Sequence, residues 1–319
     1  MYCTLAPTIR AVNSASTGSS AVSRNRFKEV EFLNFEISLP PLKEQKNIVA
    51  RWSKAQNEIA IVKTRIEKLE TNLQKYTLRL LGIAVSKDVI LPKVYALDWK
   101  YLERWSVEFL GRQLLGLNVN DTGTYPTYPL SVLCNGISGG TPSKQRQDYW
   151  NGNIPWISPK DMKSAYLSDS KDHITQLAVD ESISLVPKHS VLLVVRSGIL
   201  QRIVPIAINR VDAAINQDIR AFVPRDKNQL LPDYLAAVLN AQQDALLRLV
   251  KWSTTVQSIN KEELDRLPIP LPPIDVQKQI VSNVEKGRAE IARERESADR
   301  LSNEINAEIE ALILGVKNL

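Results

Sequence analysis

One passage occurs twice in this chain, 232 residues apart. Leu39-Pro40-Pro41-Leu42-Lys43-Glu44-Gln45-Lys46-Asn47-Ile48-Val49 returns as Leu271-Pro272-Pro273-Ile274-Asp275-Val276-Gln277-Lys278-Gln279-Ile280-Val281. The match continues downstream, where Glu58-Ile59 answers Glu290-Ile291, Leu69 answers Leu301 and Leu73 answers Ile305. With one gap, Leu80-Leu81-Gly82 answers Ile313-Leu314-Gly315, and upstream Phe32, Phe35 and Ile37 answer Leu264, Leu267 and Ile269. A repeat whose copies flank a long unrepeated segment constrains architecture: two equivalent helices with one large module between them.

Both copies read as helices. A proline at the start is tolerated because the first helical N–H groups have no partner in any case. Ile59, Val62, Ile66, Leu69, Leu73, Tyr76 and Leu80 alternate spacings of three and four, the seam of a coiled coil. Gly82 marks the expected end. The second copy carries Ile291, Ala298, Leu301, Ile305 and Leu312 on one stripe, interrupted by Glu294 and Glu308. Each stripe needs a partner, and the nearest unclaimed one is the other copy. Charge supports the pairing. Residues 1–90 hold 14 Lys and Arg against 8 Asp and Glu, whereas residues 251–319 hold 10 against 12. A basic helix beside an acidic one favours the mixed pair over either like pair.

Between the helices the texture is mixed α/β. Ser190–Val195 is a buried-strand run, Ile203–Ile208 and Ile219–Val223 are further strands, and Leu230–Lys251 is helical. Gly and Pro punctuate Gly136–Pro159, which reads as loop and turn. The expected fold class is α+β, a mixed α/β module with two long helices forming an antiparallel coiled coil. The expected segments are a domain remnant at 1–41, a first helix at 42–87, the module at 88–273 and a second helix at 274–319.

Catalytic signatures are scarce. There is no Gly-x-x-x-x-Gly-Lys-Ser/Thr phosphate loop, no Gly-x-Gly-x-x-Gly fingerprint and no Asn/Asp-Pro-Pro-aromatic stretch; both Pro-Pro pairs sit in Leu-Pro-Pro. His173 and His189 lie in polar surroundings without convergent partners, and Glu44-x-Lys46 reads as charge at a helix N-terminus. Cys3 and Cys134 form no metal spacing and no disulfide framework, which fits a reducing cytoplasm. No run has the apolar length of a membrane span, and Met1–Ser20 has no signal-peptide pattern. The pattern is that of a binding protein rather than an enzyme.

The module also carries an ordered string of short motifs. Gly139-Gly140-Thr141-Pro142-Ser143 precedes Tyr149-Trp150-Asn151-Gly152 and Ile154-Pro155-Trp156-Ile157. Lys160-Asp161, Ile174-Thr175, Val186-Pro187-Lys188, Arg196-Ser197-Gly198 and Asn216-Gln217-Asp218 follow, before Leu271-Pro272-Pro273 and Gln277. This order resembles the target recognition domain of type I restriction-modification specificity subunits, and the long helices resemble that family's spacer regions. The resemblance implies a non-catalytic subunit that reads half of a split sequence in double-stranded DNA and docks methyltransferase subunits on its helices. The restriction subunit would join through those partners. It implies no cofactor in this chain; S-adenosylmethionine, ATP and Mg belong to the partners. A full subunit of the family has two recognition domains and this chain has one plus the tail of another, so it looks half-length or truncated. Two such chains could associate and read a symmetric split site. As a ruler, Ile48–Leu80 spans about 50 Å at ~1.5 Å per residue.

Polar and basic residues in the module's loops are the DNA-reading candidates, since Arg and Lys suit phosphate or guanine and Asn and Gln suit adenine. Thr141, Ser143, Lys144 and Arg146 lie in the Gly-rich loop, and Arg196 and Arg202 bracket the Ser-Gly turn. Asn216 and Gln217 are expected to begin a strand, and Lys251, Ser253, Thr254, Thr255 and Gln257 form a polar loop. The structural alternatives are that Asn216 and Gln217 satisfy buried backbone, that Gly139-Gly140 is only a turn, and that Trp150 and Trp156 are core. The functional alternatives are a coiled-coil adaptor, an inactive or reserve specificity cassette, and an enzyme with an unrecognised site.

Overall fold

The structure is a computed structural model, and it describes residues 39–83, 124–253 and 256–313. The expected remnant at 1–41 and the join between first helix and module at 84–123 lie almost wholly outside the described residues. Two compact units divide the chain: Met1–Glu70 with Arg288–Leu319, and Thr71–Gly287. The fold is α+β.

The first unit holds the outer parts of the two repeat helices, α1 (Leu42–Leu80) and α7 (Ile274–Ile313). Ile48, Trp52 and Ala55 cluster with Ile305, Ile309, Leu312 and Ile313, so the helices run in opposite directions there. Burial on α1 recurs at Ile48, Ala55, Ile59 and Ile66, with Trp52, Val62 and Leu69 partly covered between them. That alternation of three and four is the expected seam. The two acids that break the stripe of α7 are employed: Glu308 pairs with Arg51 at 2.9 Å and Glu294 with Arg65 at 3.3 Å. Both pairs run from basic helix to acidic helix, while Arg295 and Glu70 pair in the reverse sense.

In the second unit the seam departs from expectation. Tyr76 is 45% exposed, and Thr77, 2% exposed, takes the inward position, its hydroxyl donating to the Leu73 carbonyl at 2.9 Å. Helix α1 ends as its glycine foretells. Gly82 has φ +66°, its N–H reaches Arg79 O at 3.0 Å and the N–H of Ile83 reaches Leu78 O at 2.9 Å, which closes the last turn.

A five-stranded sheet centres this unit. Its strands are β2 (Cys134–Ser138), β4 (Tyr166–Leu167), β6 (Val191–Val194), β7 (Ile206–Asn209) and β9 (Ile219–Pro224), in the order β2-β9-β6-β7-β4. All contacts are antiparallel except β4 with β7. A three-stranded sheet orders β5 (Asp172–Ile174), β3 (Trp150–Ile157) and β8 (Ala214–Ile215), with β3 parallel to β8. Every residue of β6 is buried, which is why its run is continuously apolar rather than alternating. Helix α4 (Pro232–Ala241) packs on β6 and β7, with proline at its first turn where a missing N–H costs nothing. Tyr166 on β4 places its hydroxyl 2.9 Å from both Asp233 of α4 and Glu285 of α7, under the Arg210 guanidinium. Burial, then the two carboxylates, push its pKa up. Burial also pushes the Cys134 thiol up to about 12, so it stays protonated and inert.

Three expectations need correction. Gly136–Pro159 is not all loop: it contains most of β2 and all of β3. Its glycines reflect close approach as well as turning, because a Cβ on Gly136 would lie 2.5 Å from the Arg220 guanidinium across the sheet. Ile203 does not start a strand; it sits 46% exposed after a 3₁₀ turn, and β7 begins at Ile206. The helical stretch 230–251 is two helices, α4 and α5 (Gln243–Arg248), and ends in a strand at Val250–Lys251.

Candidate nucleic-acid interface

The topology brings four loops to one end of the five-stranded sheet. Strand β2 ends there at Ser138, paired with Arg220; β6 ends there at Val194, paired with Ile219. The loop leaving β2 carries Thr141, the turn leaving β6 carries Arg196, and the turn entering β9 carries Asn216-Gln217-Asp218. The fourth element is the hairpin of β10 (Val250–Lys251) and β11 (Ser258–Ile259), in which Lys251 opposes Ser258. Ser258 in turn bridges Arg196, and Ile259 N–H donates to Val195 O at 2.8 Å.

Side chains tie these loops together. Arg196 Nε donates to Asp218 Oδ1 at 2.7 Å while its side chain stays 54% exposed. Asp218 N–H donates to Asn216 Oδ1 at 3.1 Å, and Asn216 Nδ2 to Asp218 Oδ2 at 3.2 Å. So Asn216-Gln217-Asp218 is a turn and not the start of a strand, and it is shaped by an amide that is itself buried. Gln217 is exposed, and the Thr141 hydroxyl donates to its Oε1. Gly140 N–H donates to Ile215 O at 2.9 Å, fixing the Gly-rich loop against β8. Gln257, 6% exposed, braces the hairpin: its carbonyl accepts from Ser197 N–H at 3.1 Å, and its Nε2 reaches Ser253 O at 3.5 Å. Arg202 closes the 3₁₀ turn Gly198–Gln201 and is exposed, as is Lys251. Among the described residues neither makes an ion pair.

The rest of the Gly-rich loop faces the three-stranded sheet. Trp150 and Trp156 meet edge to face at 5.3 Å and donate their indole N–H groups to Ser143 O and Gly140 O at 3.1 and 3.0 Å. They are props for the loop, and Trp156 is core at 8% exposure. Lys144 is exposed at the loop's tip. Arg146 is committed elsewhere: it grips Asp148 through three hydrogen bonds of 2.7, 2.8 and 3.2 Å, lies 3.4 Å from Glu181 and stacks on Tyr149. That guanidinium holds the Asp148 carboxyl below the usual carboxylate range. Thr254 and Thr255 lie outside the described residues.

Sequence reasoning passed over two features. Arg220 on β9 is 6% exposed and pairs with Asp265 at 2.8 Å, pinning the segment after the hairpin. Trp252 stands 71% exposed between Lys251 and Ser253. The Lys-Trp-Ser interleaving was the available signal. The exposed cations and the anchored Gln217 amide can together meet phosphate and a base edge. Among the described residues no group of three His, Cys, Asp or Glu could hold a metal, and no helix is long and apolar enough to cross a membrane.

A family model described as the type I restriction modification DNA specificity domain matches residues 6–71 and 124–310. The chain is 40% identical over 151 residues to the type I restriction enzyme EcoR124I/EcoR124II specificity subunit of Escherichia coli, covering 46% of this chain and 37% of that protein. It is 30% identical over 149 residues to the type I restriction enzyme MjaIX specificity subunit of Methanocaldococcus jannaschii, covering 45% of this chain and 33% of the relative. These matches thus span about a third of each relative's length. Among solved structures, the HsdS subunit from Thermoanaerobacter tengcongensis aligns over 96% of this chain and 65% of its own, at 17% identity and a TM-score of 0.49.

Proposed function

The chain belongs to the type I restriction modification DNA specificity domain family, and on that premise we propose that it is a non-catalytic subunit reading half of a split target in double-stranded DNA. One observation supports this above the others. Arg196, Arg202, Lys251 and Gln217, drawn from three separate stretches of chain, meet at one end of a sheet on braced loops. A rigid scaffold that presents cations for phosphate and an oriented amide for a base is what sequence reading needs.

In this reading residues 88–273 are the recognition domain, 42–87 and 274–319 are spacer helices, and 1–41 is the end of a further recognition domain. The spacers dock methyltransferase subunits, and a restriction subunit joins through them. S-adenosylmethionine, ATP and Mg act on those partners, in the cytoplasm. Helix α1, with 39 residues, would be a ruler of about 58 Å. Two such chains would read a site with matching halves.

Duplex binding by the chain in complex with its methyltransferase subunit tests the site. Neutralising Lys144, Arg196, Arg202 and Lys251 together should weaken binding by at least about a hundredfold at physiological salt and lower the salt slope by about two to four. Unchanged affinity and slope would remove these loops from the interface. A complex that binds no duplex at all would leave the adaptor reading.

A further inference from the structure

We propose that Trp252 is a wedge that stacks against an unstacked base step of the duplex, so that this domain distorts the DNA it reads. The inference rests on the DNA-recognition reading above and assigns that site a residue it otherwise lacks.

Trp252 is 71% exposed at a hairpin, while Trp150 and Trp156 are spent on each other and on loop carbonyls. An indole left in water is costly unless something covers it. Its base is firm: Val250 pairs with Ile259 and Lys251 with Ser258, and the hairpin is tied to the turn after β6 through Ser258–Arg196 and Gln257–Ser197. That turn carries Ile199 and Ile203, 41% and 46% exposed, and Val256 on the hairpin is 40% exposed. Two loops joined by backbone hydrogen bonds thus present four large apolar side chains among Arg196, Arg202 and Lys251.

The mixture indicates the occupant. Lysine is depleted from protein interfaces, whereas here Lys251 directly precedes Trp252 in the chain. Apolar side chains flanked by Arg and Lys are the composition of wedges that enter a base step while the cations hold the adjoining phosphates. The turn that carries Ile199 and Ile203 also carries Arg196, which bonds Asp218 next to Gln217 of the reading site.

The test uses the full chain with its methyltransferase subunit and a duplex carrying the motif that the pair methylates, with 2-aminopurine placed at successive positions of the half-site. Binding by wild type should raise the fluorescence severalfold at one step. Trp252→Ala should abolish that rise and weaken binding about tenfold, leaving the salt slope unchanged because no phosphate contact is lost. Trp252→Phe should keep the rise. A Trp252→Ala complex that binds and brightens the probe like wild type overturns the wedge while leaving the recognition reading intact. Loss of the methyltransferase subunit from Trp252→Ala, with DNA signal per complex unchanged, makes the patch a protein-docking surface and also overturns it. Failure of the wild-type complex to bind any duplex overturns the recognition reading and the wedge together.

Discussion

Gln45 and Gln277 hold the same place in the repeat and live in different surroundings. Each donates its side-chain N–H to the first proline carbonyl of its own Leu-Pro-Pro, at 2.7 Å from Gln45 to Pro40 and 2.9 Å from Gln277 to Pro272. Gln277 then does more. Fully buried, it also donates to Gln229 O at 2.7 Å and accepts from Leu231 N–H at 3.0 Å, locking the entry to α4 onto α7. Leu271 and Val281 pack on the main core, whereas their counterparts Leu39 and Val49 are 79% and 55% exposed. The repeat therefore encodes two things: a local device that starts a helix, present in both copies, and a socket for a folded body, filled in the second copy alone among the described residues.

The contacts between the helices repeat as well. The offset that takes Arg51 to Asn283 takes Tyr76 to Glu308, and the Arg51–Glu308 ion pair has its counterpart in the Asn283–Tyr76 hydrogen bond at 3.3 Å. Ala55 and Ile305, which share one cluster, correspond to Gly287 and Leu73, where a Cβ on the glycine would lie 2.7 Å from the leucine. An isologous pairing, in which i meets j and the equivalent of j meets the equivalent of i, needs such reciprocity.

The comparison can be broken at three levels. Gln277→Ala leaves the Leu231 N–H and the carbonyls of Gln229 and Pro272 without this partner and should cost about 3 kcal/mol in urea unfolding, against less than about 1 kcal/mol for Gln45→Ala. Equal losses would mean that the first socket is also filled. Gly287→Val should cost about 2 kcal/mol by overpacking against Leu73, and Ala55→Gly should cost about 2 kcal/mol through helix propensity together with the loss of a buried methyl; thermal unfolding of both variants checks the two copies of this contact. The smallest effect is the Arg51–Glu308 coupling. A double-mutant cycle should return no more than about 1 kcal/mol, falling in high salt, because the arginine side chain is 50% exposed.

What was legible in the sequence was what repeats or has a period. Two helices, their mutual pairing and the Gly82 stop follow from spacing, because the helical period leaves its mark on every turn. Even so, the seam passes through Thr77 and not Tyr76: a threonine that satisfies its hydroxyl within its own helix can sit inside, and periodicity does not weigh that. Strand β3 was hidden because Gly152 and Pro155 look like turn residues, yet Gly152 lies in the bulge between Trp150 and Ile154 and Pro155 pairs with His173 of β5. The site was legible only in pieces. Thr141, Arg196, Gln217 and Lys251 are each ordinary polar residues in sequence, and the sheet order that gathers them is a long-range property. The same holds for Arg146, a free cation by composition and a bound one in the structure.

The most direct measurement is methylome sequencing of cells expressing this chain with its cognate methyltransferase subunit, alongside cells expressing the subunit alone. The account predicts a split motif bearing methyladenine that appears only when both are present, and whose gap changes when residues are inserted into α1. A co-purified pair that leaves DNA unmethylated at any defined motif, or a motif that is the same without this chain, would contradict it.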